Sequence, residues 1–228
     1  MNFKQLIKQI APPIALDIVR RIRQKRAAYR RVTSQDQHLD MYWDEDFAKV
    51  LETWGDGNVW TEIQLLMAGR SGKVLDIACG TGKTMEILSK FTNIELYGCD
   101  ISNLLIEKAV ERGLLRSCLT VCDATQLPYH DNEFSYAYSI GSIEHFTEDG
   151  IERFLRECHR TVSGVSFHQH PVSRNGQNEG WITTSQSYHN NSVEWWLNIY
   201  QRVYSNVSVL DSVWEDELSL GKWFVCTK

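Results

Sequence analysis

Val74-Leu75-Asp76-Ile77-Ala78-Cys79-Gly80-Thr81-Gly82-Lys83 reads as a short apolar strand that passes through a tight glycine-containing turn into a helix. Gly80 and Gly82 allow backbone conformations closed to other residues and remove side chains, so a ligand can approach the main chain closely. In doubly wound sheets such turns lie at the carboxyl ends of the strands, where ligands bind. An ordinary strand–helix turn would look the same, so the turn has to be weighed together with the residues at the later strand ends.

Downstream the pattern alternates. Strands are predicted at Lys73–Ile77, Ile94–Cys99, Cys118–Cys122, Phe134–Ser139 and Val162–Gln169, with closing strands near Val207–Leu210 and Lys222–Thr227. Helices are predicted at Lys83–Lys90, Ser102–Arg112, Thr147–His159 and Asn191–Val203. Strands alternating with helices of about ten residues imply an α/β fold. The expectation is a Rossmann-like, doubly wound, mostly parallel seven-stranded sheet with an antiparallel last strand, plus N-terminal helices.

Two further acids fall at strand ends. Gly98-Cys99-Asp100 closes the second strand, and Asp100 could accept hydrogen bonds from both hydroxyls of a ribose. It could equally cap the helix that starts near Ser102, and the two roles are compatible. Val121-Cys122-Asp123-Ala124 follows the third strand, where Asp123 could meet an adenine amino group or be a plain loop carboxylate. A dinucleotide fingerprint is excluded, because Lys83-Thr84-Met85 follows Gly82 and supplies no third glycine. A P-loop is excluded because Asp76-Ile77-Ala78-Cys79 lacks its first glycine.

The ordered set Leu75–Gly82, Gly98–Ser102, Cys122–Tyr129, Phe134–Ser139 and Ser142–Phe146 resembles the class I S-adenosylmethionine (SAM)-dependent methyltransferases, in particular the small-molecule methyltransferase-domain group. The resemblance implies SAM as cofactor. It places Asp76, Ala78, Gly80 and Gly82 around the methionyl part, Asp100 at the ribose and Ile101 on the adenine. Asp123 and Ala124 fall at the adenine edge, and the Ser139 carbonyl near the sulfonium. Ala78 departs from the pattern, since the family usually has glycine there.

Methyl transfer to a hydroxyl benefits from a general base. His145 is the leading candidate, Glu144 the weaker one, and a packing role for His145 is the alternative. His168-Gln169-His170 could contribute to the substrate pocket, as could Trp181, Tyr188 and Trp195 in the amide- and aromatic-rich stretch 171–196. A metal would need a third ligand that nothing in the sequence fixes, so none is expected. Amides beside flat rings suit sugars, and this stretch together with the N-terminal segment Ile7-Lys8-Gln9-Ile10-Ala11-Pro12-Pro13-Ile14 loosely resembles proteins from bacterial surface-polysaccharide clusters. The preferred acceptor is therefore a small molecule, a sugar or glycan-precursor hydroxyl. The alternatives are a lipid-linked or other small metabolite, or a non-catalytic SAM-binding module.

Composition bounds the rest. The chain has 228 residues, 43% hydrophobic and 23% charged, which suits one domain with a modest appendage. Residues 1–31 hold nine of the 24 Lys and Arg and one acid, Asp17, while the remainder is strongly acidic. An acidic body argues against a nucleic-acid partner. The arm places Ile14, Ile18 and Ile22 on one stripe with Arg20, Arg23, Lys25 and Arg26 largely off it, and it has two readings. It could touch an anionic membrane peripherally, or pack on its own domain or a partner subunit. The expected organisation is this arm at 1–31, a linker with capping helices at 32–72, and the core at 73–228. The six cysteines form no CxxC pair and read as buried, reduced thiols. With no secretory signal and no run of about 20 apolar residues, the expected location is cytoplasmic, including the inner face of the membrane.

Overall fold

A computed structural model describes residues 39–183 and 186–228. The basic arm at 1–31 and the first part of the linker lie outside the described residues. A 3-10 turn at Leu39–Trp43 leads to α1 (Glu45–Val50) and α2 (Val59–Met67), the two capping pieces. The core then runs β1 (Gly72–Ile77), α3 (Lys83–Leu88), β2 (Ile94–Asp100), α4 (Asn103–Glu111), β3 (Leu119–Val121) and β4 (Phe134–Ile140). A 3-10 turn at Ile143–His145 precedes α5 (Glu148–Thr161) and β5 (Val162–Ser173). Next come β6 (Trp181–Ile182), β7 (Tyr188–His189), α6 (Val193–Tyr200), β8 (Asn206–Glu215) and β9 (Ser219–Thr227).

Seven strands form one sheet in the order β3-β2-β1-β4-β5-β9-β8, while β6 and β7 pair separately. Strands β1 to β5 are parallel, and the last strand, β9, inserts antiparallel between β5 and β8. The strand order reverses between β1 and β4, which opens a crevice at their carboxyl ends.

Period-2 alternation divides the core between the two faces of the sheet. Leu75, Ile77, Ala137 and Phe224 face one layer, where α5 and α6 contribute Phe154, Leu155 and Trp196. Val74, Tyr138, Phe167 and Trp223 face the other, where α2 contributes Val59, Ile63 and Met67. Glu62 of α2 is a polar anchor for this second layer. Its carboxylate accepts hydrogen bonds from Ser212 Oγ (2.7 Å), Val213 N (2.6 Å) and Trp223 Nε1 (2.6 Å), so the capping helix is tied to the β8–β9 hairpin.

The helix starts follow capping chemistry. Ser102 Oγ accepts from Leu105 N and Thr147 Oγ1 from Gly150 N. The structure departs from the sequence reading at β5 and β8, which are longer than predicted. β5 continues through His170, Pro171 and Val172 to Ser173 because β9 supplies a partner along that whole length, down to Ser173 opposite Ser219. The cysteines carry free thiols, and Cys118 and Cys122 are half-buried rather than buried as expected.

Candidate functional site

A cavity of about 490 Å³ opens over the carboxyl ends of β1, β2 and β4, where the strand order reverses. That volume lies in the range of small-molecule sites. Its floor is the β1–α3 turn. Ala78, Gly80 and Gly82 have φ of +62°, +55° and +72°. The left-handed value at Ala78 explains why glycine is usual there. Gly82 is held by packing as well, since a Cβ would fall 2.4 Å from Leu114 and 3.0 Å from Ala109 of α4.

Asp100, at the tip of β2, organises this turn. Its Oδ2 accepts from Gly80 N and its Oδ1 from Ser102 N, each at 2.9 Å, so the capping and turn-holding roles coexist in one carboxylate. Burial raises its pKa above the usual carboxylate value. Asp76 is also buried, and Tyr138 Oη, from the adjoining register position on β4, donates to its Oδ2 at 2.9 Å. Burial pushes the Asp76 pKa well up, and among the described residues it forms no ion pair. Ile101, Asp123 and Ala124 complete this side of the cavity. One oxygen of Asp123 accepts from both Thr125 N and Thr125 Oγ1 at 2.8 Å. Arg112 braces the turn from behind, bonding Thr81 O (2.9 Å), Glu86 (2.9 Å) and Glu52 of the capping segment (2.5 Å).

Glu144 and His145 also line the cavity, on the turn after β4. His145 Nδ1 lies 2.7 Å from the Ser187 carbonyl, which can accept a hydrogen bond from it. Burial lowers the His145 pKa to about 4. Glu144 is 3% exposed, and burial raises its pKa to about 8. Its Oε1 is 3.6 Å from His145 Nε2, and its Oε2 has no hydrogen-bond partner among the described residues.

The other sequence candidates divide. Tyr188 lines the cavity, and so does Gln169, but His168 and His170 do not. Alternation along β5 turns both histidines to the opposite face, where each is fully buried. His168 contacts Ser139 Oγ at 2.8 Å, and His170 stacks on Phe224 with Nε2 3.2 Å from Tyr200 Oη. Ser139 is itself fully buried, and the next residues, Ile140 and Gly141, reach the cavity instead. Trp181 and Trp195 pack around the His189 ring, with centroids 4.8 and 5.1 Å away, and are absent from the lining. These placements correct the expected pocket roles of His168, His170, Trp181 and Trp195, whose rings serve the core.

Sequence reasoning missed Tyr42, Phe47, Trp54, Gln186 and Trp214, all of which line the cavity. They come from the capping segment, the stretch before β7 and the end of β8. Only the tertiary fold brings them together. The aromatic density of the chain was the one available signal.

A Rossmann-like sheet with a nucleoside-sized crevice at its switch point, and acids at the ends of β1, β2 and beyond β3, defines the class I SAM-dependent methyltransferase type. Residues 74–163 match the "Methyltransferase domain" family. The mouse "Probable tRNA methyltransferase 9B" is 36% identical over 107 residues, which is 46% of this chain and 23% of that protein. Demethylmenaquinone methyltransferase of Thermotoga maritima is 30% identical over 120 residues, 51% of each chain. Phosphoethanolamine N-methyltransferase 2 of Haemonchus contortus, solved with S-adenosyl-L-methionine, superposes with a TM-score of 0.65 at 16% identity, covering 86% of this chain and 60% of that one. The chain thus spans between a quarter and about half of the length of these curated relatives.

Proposed function

We propose that this protein binds SAM in the β1–β2 half of the cavity and transfers its methyl group to a small molecule held at the Glu144–His145 end. The single observation that carries this reading is the pairing, in one cavity, of a methyltransferase-type cofactor floor with a buried, proton-accepting carboxylate. The residues present fit SAM. Asp76 is a buried carboxylate without a cationic partner among the described residues, which suits the methionyl amine. Asp100 and Asp123 each keep acceptor capacity for ribose and adenine. SAM supplies an activated methyl group on a sulfonium.

The chain's own residues then bind, orient and exclude water. The rings of Tyr42, Trp54 and Tyr188 exclude water and hold the acceptor in line, which is the main requirement of a displacement at an activated methyl. The proton lost by the acceptor goes to Glu144. This reverses the ranking drawn from the sequence. A base is most effective with a pKa near the working pH, which suits Glu144 at about 8 better than His145 at about 4. His145, fixed by Ser187, positions the turn and the Glu144 carboxylate.

A sugar or glycan-precursor hydroxyl remains an acceptor this cavity could orient through Gln169 and Gln186, the two amides in its lining. Among the described residues no helix is long and apolar enough to cross a membrane. Peripheral contact through the basic arm is a separate proposal, tested by liposome sedimentation of the full chain against one lacking residues 1–30. The test of the proposed function is incubation of the full chain with methyl-labelled SAM and fractionated cell extract. Transfer of label to a small-molecule fraction supports the reading. Label that stays on SAM in every fraction counts against it.

A further inference from the structure

The acceptor end of the cavity is built around a buried carboxyl group with an unpaired oxygen. Glu144 Oε2 and Ser142 Oγ are both buried without a hydrogen-bond partner among the described residues, two residues apart on the turn after β4. A buried acceptor left unpaired is costly, so such groups point to a ligand that completes them. Glu144 Oε2 can accept and Ser142 Oγ can accept or donate, so a ligand that donates N–H groups can complete both.

Aromatic rings line the cavity together with these oxygens. A Cβ on Gly141 would lie 3.3 Å from the Trp54 ring and 3.9 Å from Glu144 Oε1, so ring and carboxylate flank the same point at the end of β4. The Tyr42 and Tyr188 hydroxyls both feel the Glu144 charge, and Trp214 closes the lining. A carboxylate beside aromatic rings is the arrangement that recognises an ammonium group.

The charge of the lining agrees. It contains five carboxylates, those of Asp76, Asp100, Asp123, Glu144 and Asp216, and one ammonium, Lys83. Lys83 is neutralised by Glu86 at 2.8 Å and lies on the cofactor side. Nothing cationic among the described residues faces Glu144 except the His145 ring, which burial keeps neutral.

We propose that the acceptor is a small amine, bound as its ammonium form between Glu144, Ser142 and the Trp54 ring, and methylated on nitrogen. This rests on the SAM reading above and narrows it. One N–H proton passes to the Glu144 carboxylate, freeing the nitrogen lone pair. That pair bonds the methyl carbon as the carbon–sulfur bond breaks, and its electrons remain on sulfur as a neutral thioether. The product is the N-methylated ammonium ion. A neutral hydroxyl acceptor brings no positive charge to the acidic lining or to the Trp54 ring.

The test has two arms. In the first, the full chain without SAM is titrated with isopropylammonium chloride and with isopropanol, the alcohol of the same carbon skeleton, at matched ionic strength, following tryptophan fluorescence. The expected result is saturable binding of the cation, at least about tenfold tighter than the alcohol, a margin of ~1.4 kcal/mol. Glu144→Gln and Trp54→Leu should each remove most of that preference. Circular dichroism melts confirm that both variants are folded. Equal binding of cation and alcohol, or an undiminished preference in both folded variants, overturns the proposal. In the second arm, methyl-labelled SAM is offered with matched panels of primary amines and alcohols. Label on amines supports the proposal, and label on alcohols alone overturns it. The first arm contains no SAM, so its failure leaves the SAM reading standing, and a failure to bind SAM leaves the first arm readable.

Discussion

Tyr138 Oη donates a 2.9 Å hydrogen bond to Oδ2 of Asp76 across the β1–β4 pair, fully inside the protein. This contact holds a buried carboxylate at the edge of the cavity without a cation. Tyr138→Phe removes the donor and leaves the acid more exposed to its desolvation cost. The expected loss of stability is about 1–3 kcal/mol. Urea unfolding checks it, and an unchanged midpoint would show that the bond contributes nothing.

Asp100 ties Gly80 to Ser102 and faces the cavity. Asp100→Ala should weaken SAM binding about ten- to a hundredfold, since hydrogen bonds to a charged group contribute about 1.5–3 kcal/mol. Calorimetry reads the affinity directly. Equal affinity in variant and wild type would remove Asp100 from the ribose role.

At Ala78 the chain adopts φ +62° with a Cβ in place, a conformation that costs an L-residue roughly 1–2 kcal/mol. Ala78→Gly relieves this strain but adds about 0.4–1 kcal/mol of unfolded-state entropy. The net expectation is stability unchanged or raised by up to about 1 kcal/mol. Ala78→Val should destabilise clearly. Urea midpoints for the pair check the sign.

Four histidines are buried with depressed pKa values: His145 and His189 to about 4, His168 and His170 to about 3. Their unfolded forms titrate near pH 6.5, so below that the unfolded chain binds more protons. Stability present above pH 6.5 is therefore lost as pH falls toward 4. Glu144, raised to about 8, acts with the opposite sign: its contribution is complete at low pH and is lost as pH rises through about 8. Asp76 and Asp100 share that second sign. His170→Phe should flatten the dependence of unfolding free energy on pH between 6.5 and 4 by about 1.4 kcal/mol per pH unit. The carboxylates cancel in the comparison with wild type. An identical slope in the two proteins would contradict the burial account of His170.

The sequence made some of this legible for physical reasons. The glycine turn after Ile77 and the acids after Gly98 and Cys122 are local features, set by strand ends and backbone conformation, and the structure places them around one cavity. The β-α alternation carried the sheet, including the antiparallel closing strand. The acceptor end was less legible because its residues are distant in the chain. Trp54, Gln186 and Trp214 meet only through folding. His168 and His170 were misplaced for a different reason. The sequence pattern ends the strand at Gln169, beside the edge where ligands bind, but β5 runs on to Ser173, so period-2 alternation continues through both histidines and each finds a ring or hydroxyl partner inside the core.

The central claim is that the cavity over β1 and β2 holds SAM. Calorimetric titration of SAM into the full chain tests it most directly. The account predicts saturable binding of one molecule per chain, weakened in Asp100→Ala. A folded wild-type chain that gives no saturable heat of binding would contradict it.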